Sequence, residues 1–165
     1  MTYVTTPAPA PADEAAADAD AVVVRLGTGR FAVSLASVAE VGRIPSATRV
    51  PGTPGWVAGV ANWRGRILPI LDLRSLLGAT ESPLEGSARL LVLIADGVSV
   101  GLLVEAVEGT AVVAASAEPF PATLAGTAAL LLAGQLPHPD GPVAVLDVDA
   151  VLRMRESLPR GRRSA

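Results

Sequence analysis

The stretch Gly59–Leu73 reads GVANWRGRILPILDL. Two apolar runs flank Asn62-Trp63-Arg64-Gly65, and the second run ends at Asp72. Alternation through the first run places Ala61, Trp63 and Gly65 on one face and Asn62 and Arg64 on the other, as in a strand. The "LD" ending recurs. Ile70-Leu-Asp-Leu-Arg-Ser-Leu-Leu77 matches Val145-Leu-Asp-Val-Asp-Ala-Val-Leu152, and Trp56-Val-Ala-Gly59 matches Leu131-Leu-Ala-Gly134. The interval from Gly59 to Asp72 equals that from Gly134 to Asp147. Further upstream, Phe31-Ala-Val-x-Leu35-x-x-Val38 matches Val100-Gly-Leu-x-Val104-x-x-Val107. Two copies are too few for a solenoid. They fit two related small lobes packed together, each too small to be stable alone.

An aspartate that recurs where a strand gives way to a helical turn reads as an N-cap, its carboxylate accepting from the N–H groups of the next turn. Asp72 and Asp147 are therefore expected to be structural. Asn62-Trp63-Arg64-Gly65 has no counterpart in the second half, where QLPHPDG stands. That difference makes it the functional candidate. Trp63 and Arg64 are residue types enriched at interaction hot spots.

The rest of the chain reads mostly as strand. VVVRL (22–26), RFAVSL (30–35), GRILPILDL (65–73), RLLVLIA (89–95), VSVGLLVEAV (98–107) and PVAVLDV (142–148) are separated by the turn signals Gly27-Thr28-Gly29, Asp96-Gly97 and Pro139-Asp140-Gly141. Such spacing predicts an all-β barrel or sandwich. Asp96-Gly97 predicts a type I′ hairpin. Short helical turns are expected at 35–41, 53–57, 74–77 and 149–155. Residues 1–20, rich in Pro, Ala and acid, and the basic residues 157–165 read as flexible tails.

Of the 165 residues, 50% are apolar and 3% aromatic, so the core is aliphatic. The absence of cysteine excludes disulfides and thiolate chemistry. A net charge of −3, with no basic stripe apparent, argues against nucleic acid as a partner. No signal peptide is expected, nor a membrane-inserted helix. Gly97-Val-Ser-Val-Gly101 matches the letters of a nucleophile elbow, but Ser99 lies between two β-branched residues rather than on a strand-to-helix turn. The single histidine, His138, sits in a Pro-rich loop and makes no metal set by itself. No metal site or cofactor is expected.

Taken together, Phe31-Ala-Val with Leu35-x-x-Val38-x-Glu40-Val41, Val50-Pro51, Pro54-Gly-Trp-Val-Ala-Gly59-Val, Asn62-x-Arg64-Gly65-x-Ile-x-Pro69-Ile-x-Asp72-Leu and Gly101-Leu-Leu-Val-Glu-x-Val107 resemble the CheW-like domain family. The resemblance spans about Val22 to Leu152. It implies two SH3-like five-stranded β-barrel lobes, approximately 21–88 and 89–156, with a C-terminal helix. It also implies a non-catalytic, cytoplasmic adaptor recruited to membrane-associated receptor arrays. Its partners would be the cytoplasmic tips of methyl-accepting chemoreceptors and the regulatory domain of the histidine kinase CheA, in a motility or another sensory pathway. Val38 and Glu40 match docking-strand positions, and Gly59, Asn62, Arg64 and Gly65 match the central signature. Arg64 and Glu40 are expected to pair, near the groove between the lobes. Trp63 departs from the family, which usually has a smaller aliphatic residue there.

Overall fold

The computed structural model describes residues 20–79, 83–113, 118 and 126–158. Most of both expected tails lies outside these residues. Among the described residues, ten strands form two five-stranded sheets. They are β1 (Ala21–Leu26), β2 (Gly29–Ser34), β3 (Val38–Gly42), β4 (Val57–Trp63), β5 (Arg66–Leu71), β6 (Arg89–Ala95), β7 (Val98–Val104), β8 (Ala106–Ala111), β9 (Leu132–Leu136) and β10 (Val143–Leu146). A short helix α1 (Thr127–Leu131) precedes β9, and α2 (Val148–Met154) follows β10.

One sheet has the order β8-β1-β2-β10-β9 and the other β3-β6-β7-β5-β4. Each half of the repeat therefore gives its first hairpin to one sheet and its last three strands to the other. The sheets do not divide at 88/89, which corrects the expected lobe boundaries. Neither half can complete its own sheet, so the two lobes are interwoven. The repeat itself is carried into the registers. β10 runs parallel to β2, and β5 runs parallel to β7. Asp72 N–H donates to Trp56 O and Asp147 N–H to Leu131 O, both at 2.8 Å. Thr48 bridges Val60 on β4, and Glu118 bridges Gln135 on β9.

Several boundaries differ from the sequence expectation. Only Leu35–Ser37 is helical before β3 begins. The run VSVGLLVEAV breaks at Glu105, where the chain leaves one sheet for the other. β4 extends the alternation read around Ala61 and Trp63 back to Val57, whereas β9 is a strand that Ala133 and Gly134 conceal. Asp20, assigned to the tail, is held by the fold: its N–H donates to Ala111 O and its carboxylate accepts from Val113 N.

The core alternates through each sheet. In β6, Leu91 and Leu93 enter the large cluster between the sheets, with Val148, Ala150, Val151 and Leu152 of α2. Leu90 and Val92 point the other way, to a cluster with Ala61, Leu68, Ile70 and Leu103. With both faces buried, the strand reads as a continuous apolar run. Gly101 sits within this second cluster, where a Cβ would come 2.8 Å from Ile70 and Leu90 side-chain carbons. Asp96 and Gly97 have φ of 51° and 77°, as a type I′ hairpin requires.

Candidate functional site

The opening stretch forms the β4–β5 hairpin, with Trp63 paired to Arg66 and only Arg64-Gly65 between them. Arg64 has φ 51° and Gly65 φ 77°, so this too is a type I′ turn. Asn62 accounts for part of the turn's stability, since its Oδ1 accepts from Gly65 N–H at 3.0 Å. Arg64 has no such local excuse. A left-handed backbone costs an ordinary L-residue about 1–2 kcal/mol.

The Arg64 side chain turns toward β3. Its Nη2 lies 3.0 Å from Glu40 Oε2, and its Nε donates to the same oxygen. Trp63 Nε1–H donates to that oxygen as well, at 2.9 Å. The guanidinium carbon is 5.5 Å from the centre of the Trp63 ring, within cation–π range. β3 and β4 are the two outer strands of their sheet, so Glu40 ties its edges together through side chains. The expected Arg64–Glu40 pair is present. It belongs to the second sheet alone: Trp63 packs on the cluster that faces away from the other sheet, not on the cluster between the two. The pair is exposed, with Arg64 at 69%. Val38 does not join it and packs instead against the cluster between the sheets.

Gly59 shapes the adjoining edge. A Cβ there would lie 2.6 Å from Thr48 O, at φ 150°. Its absence lets the segment after β3 cross β4 closely, with Thr48 and Val60 exchanging hydrogen bonds of 2.8 and 2.9 Å.

Asp147 caps α2, its Oδ1 accepting from Ala150 N–H at 3.1 Å. Asp72 accepts from Arg74 N–H at 3.2 Å and also takes the Arg74 guanidinium on both oxygens, at 3.0 and 2.8 Å. Arg74 Nη1 donates to Glu105 Oε1. These bonds, from Asp72 first and then Glu105, raise the Arg74 pKa further despite burial. Sequence reading missed Arg74 and Glu105, whose one local signal is the contrast between Arg74 and Asp149 at equivalent repeat positions.

The other sheet carries a comparable edge tie. Arg30 Nε donates to Glu108 on β8 at 2.7 Å, and its Nη1 reaches Asp140 beyond β9 at 3.4 Å. The Glu108 hydrogen bond raises the Arg30 pKa, with Asp140 adding to it. His138 Nδ1 accepts from Asp140 N–H beside a cleft of about 430 Å³. Ser99 lies within β7, paired with Ile94, and not at a strand-to-helix turn. Among the described residues no cluster of His, Asp and Glu could hold a metal, and no helix is long and apolar enough to cross a membrane.

The comparisons with known proteins agree with this architecture. Protein PilI of Pseudomonas aeruginosa is 45% identical over 85 residues, covering 52% of this chain and 48% of that protein. A probable chemotaxis protein CheW of Rhizobium etli is 39% identical over 88 residues, covering 52% of this chain and 56% of that protein. The chain thus spans about half the length of these curated relatives. The crystal structure of the scaffolding protein TtCheW from Thermoanaerobacter tengcongensis superposes with a TM-score of 0.70 at 25% identity, covering 79% of this chain and 89% of that one. The profile of the CheW-like domain matches residues 20–156, nearly all of the described fold. With its paired, interwoven sheets, the chain belongs to the CheW-like domain family, which includes chemotaxis proteins and the scaffolding protein TtCheW.

Proposed function

We infer that this chain is an adaptor coupling chemoreceptor cytoplasmic tips to the regulatory domain of the histidine kinase CheA, recruited from the cytoplasm to receptor arrays. The supporting observation is the convergence of Glu40 with Trp63 and Arg64. Residues from a docking-strand position and from the central signature share one carboxylate oxygen where the two edges of a sheet are tied together. In this reading Glu40, Trp63 and Arg64 meet the partner. Gly59, Asn62 and Gly65 set the backbone that presents them, and Val38 fixes β3 against the core.

The identity to Protein PilI, at 45%, exceeds the 39% to the Rhizobium etli chemotaxis protein. That favours, as a second reading, the same adaptor role in a sister sensory pathway with its own receptor and kinase.

The test is direct binding. The purified chain is titrated against a receptor tip and a kinase regulatory domain of each pathway encoded in its own genome. Binding to both components of one pathway supports the role and selects the pathway. Binding to no receptor tip and no kinase domain refutes it.

A further inference from the structure

The chain has a net charge of −3, yet residues 40–66 contain Arg43, Arg49, Arg64 and Arg66 against one acid, Glu40. These arginines lie on the segments that border one seam, the Glu40–Arg64 tie between β3 and the β4–β5 hairpin. Arg43 directly follows β3, Arg49 follows the Thr48 bridge to β4, and Arg64 and Arg66 flank Gly65 at the hairpin. All four are exposed. Among the described residues Arg43, Arg49 and Arg66 join no ion pair, and Arg64 is paired only to Glu40. Beside them Ile67 is 66% exposed.

Guanidinium groups without counter-charges create a local positive field on an acidic molecule, and such a field steers and selects an anionic partner. Each presents a planar fork matched to a carboxylate. The exposed isoleucine favours a protein surface, which can cover it, over a purely polar polyanion. Resting on the adaptor reading for the class of partner, we propose that this seam docks an acidic protein surface, with Arg64 leaving Glu40 for a partner carboxylate.

Trp63 makes the exchange feasible. Its Nε1–H donates to the same Glu40 oxygen that Arg64 contacts. When Arg64 leaves, Glu40 keeps a hydrogen bond. Besides meeting the partner, Trp63 thus holds Glu40 in place, and its indole N–H is the operative group for the exchange.

The test titrates the intact chain against the kinase regulatory domain and the receptor tip at low and high salt. Arg49→Glu and Arg66→Glu should each weaken one of these partners about ten-fold or more at low salt. High salt should shrink the difference. Arg153→Glu, on exposed α2 surface, makes the same change in net charge and should have no effect. Trp63→Phe keeps a ring but removes the N–H. It should weaken the same partner a few-fold with the melting temperature nearly unchanged. Affinities unaltered by Arg49→Glu and Arg66→Glu, or lowered equally by Arg153→Glu, overturn the proposal. So does loss of binding to phosphatidylserine vesicles in these variants with protein affinities intact, which would assign the seam to a lipid surface. Wild-type protein that binds neither partner overturns the adaptor reading itself, and this proposal with it.

Discussion

Arg74 Nη1 lies 2.9 Å from Glu105 Oε1, while the same guanidinium grips both Asp72 oxygens. Glu105 marks the point where the chain passes from one sheet to the other, and its N–H donates to Arg25 O on β1. The ion pair therefore fastens the end of β5 to the crossing between the lobes. Arg74 is 5% exposed, and removing one partner of a buried pair leaves the other charged and unsatisfied. Arg74→Met should cost about 3–5 kcal/mol in urea unfolding. A loss below about 1 kcal/mol would mean that Asp72 and Glu105 find water instead.

Asp72 and Asp147 occupy equivalent places in the repeat but do unequal work. Asp147 caps α2, so Asp147→Ala should cost about 0.5–2 kcal/mol. Asp72 also neutralises buried Arg74, so Asp72→Ala should cost about 3–5 kcal/mol. Chemical denaturation of the two variants side by side checks the ranking, and equal losses would reduce Asp72 to a cap.

That inequality shows how far the sequence carries. The repeat was legible because it lies in residue order: the LD ending, the AG turn and their interval. The exchange of strands between halves was not, since periodicity tells which residues face a core but not whose core it is. β8 was hidden for the same reason, because VSVGLLVEAV is one apolar run until Glu105 changes sheets. The Arg64–Glu40 pair was legible only through the family resemblance. Arg30, Glu108 and Asp140 meet across 78 and 110 residues, and no local pattern marks a tie between chain segments so distant.

Thr48 by itself accounts for a glycine at position 59. A Cβ would collide with Thr48 O, and φ 150° is a backbone conformation that L-residues rarely adopt. Gly59→Ala should cost about 1–3 kcal/mol and expose the Thr48 and Val60 amides to hydrogen exchange. Partner affinity should fall only as far as that edge loosens. Full stability with lost binding would place Gly59 in the interface itself.

Ser99 is expected to be chemically inert. It sits within β7, and the glycine two residues on fills a packed core position rather than an elbow. An activated phosphonate should not label the protein. Labelling that disappears in Ser99→Ala would restore a nucleophile.

Arg64 offers the clearest separation of folding from function. Its φ of 51° followed by Gly65 at 77° makes a type I′ turn, for which Asn-Gly is the favoured pair. Arginine there carries about 1–2 kcal/mol of backbone cost that asparagine largely avoids. The exposed pair with Glu40 returns about 0–1 kcal/mol. On these terms Arg64→Asn should leave stability unchanged or raise it by about 1 kcal/mol. Stability alone therefore gives no reason for arginine at this turn, whereas a charge presented to a partner does. The same substitution should weaken receptor or kinase binding by about 2–5 kcal/mol where the guanidinium becomes buried at the interface. Thermal unfolding and titration on one preparation decide the matter. A variant that is destabilised yet binds both partners normally would make the hairpin a folding element and move the docking site elsewhere.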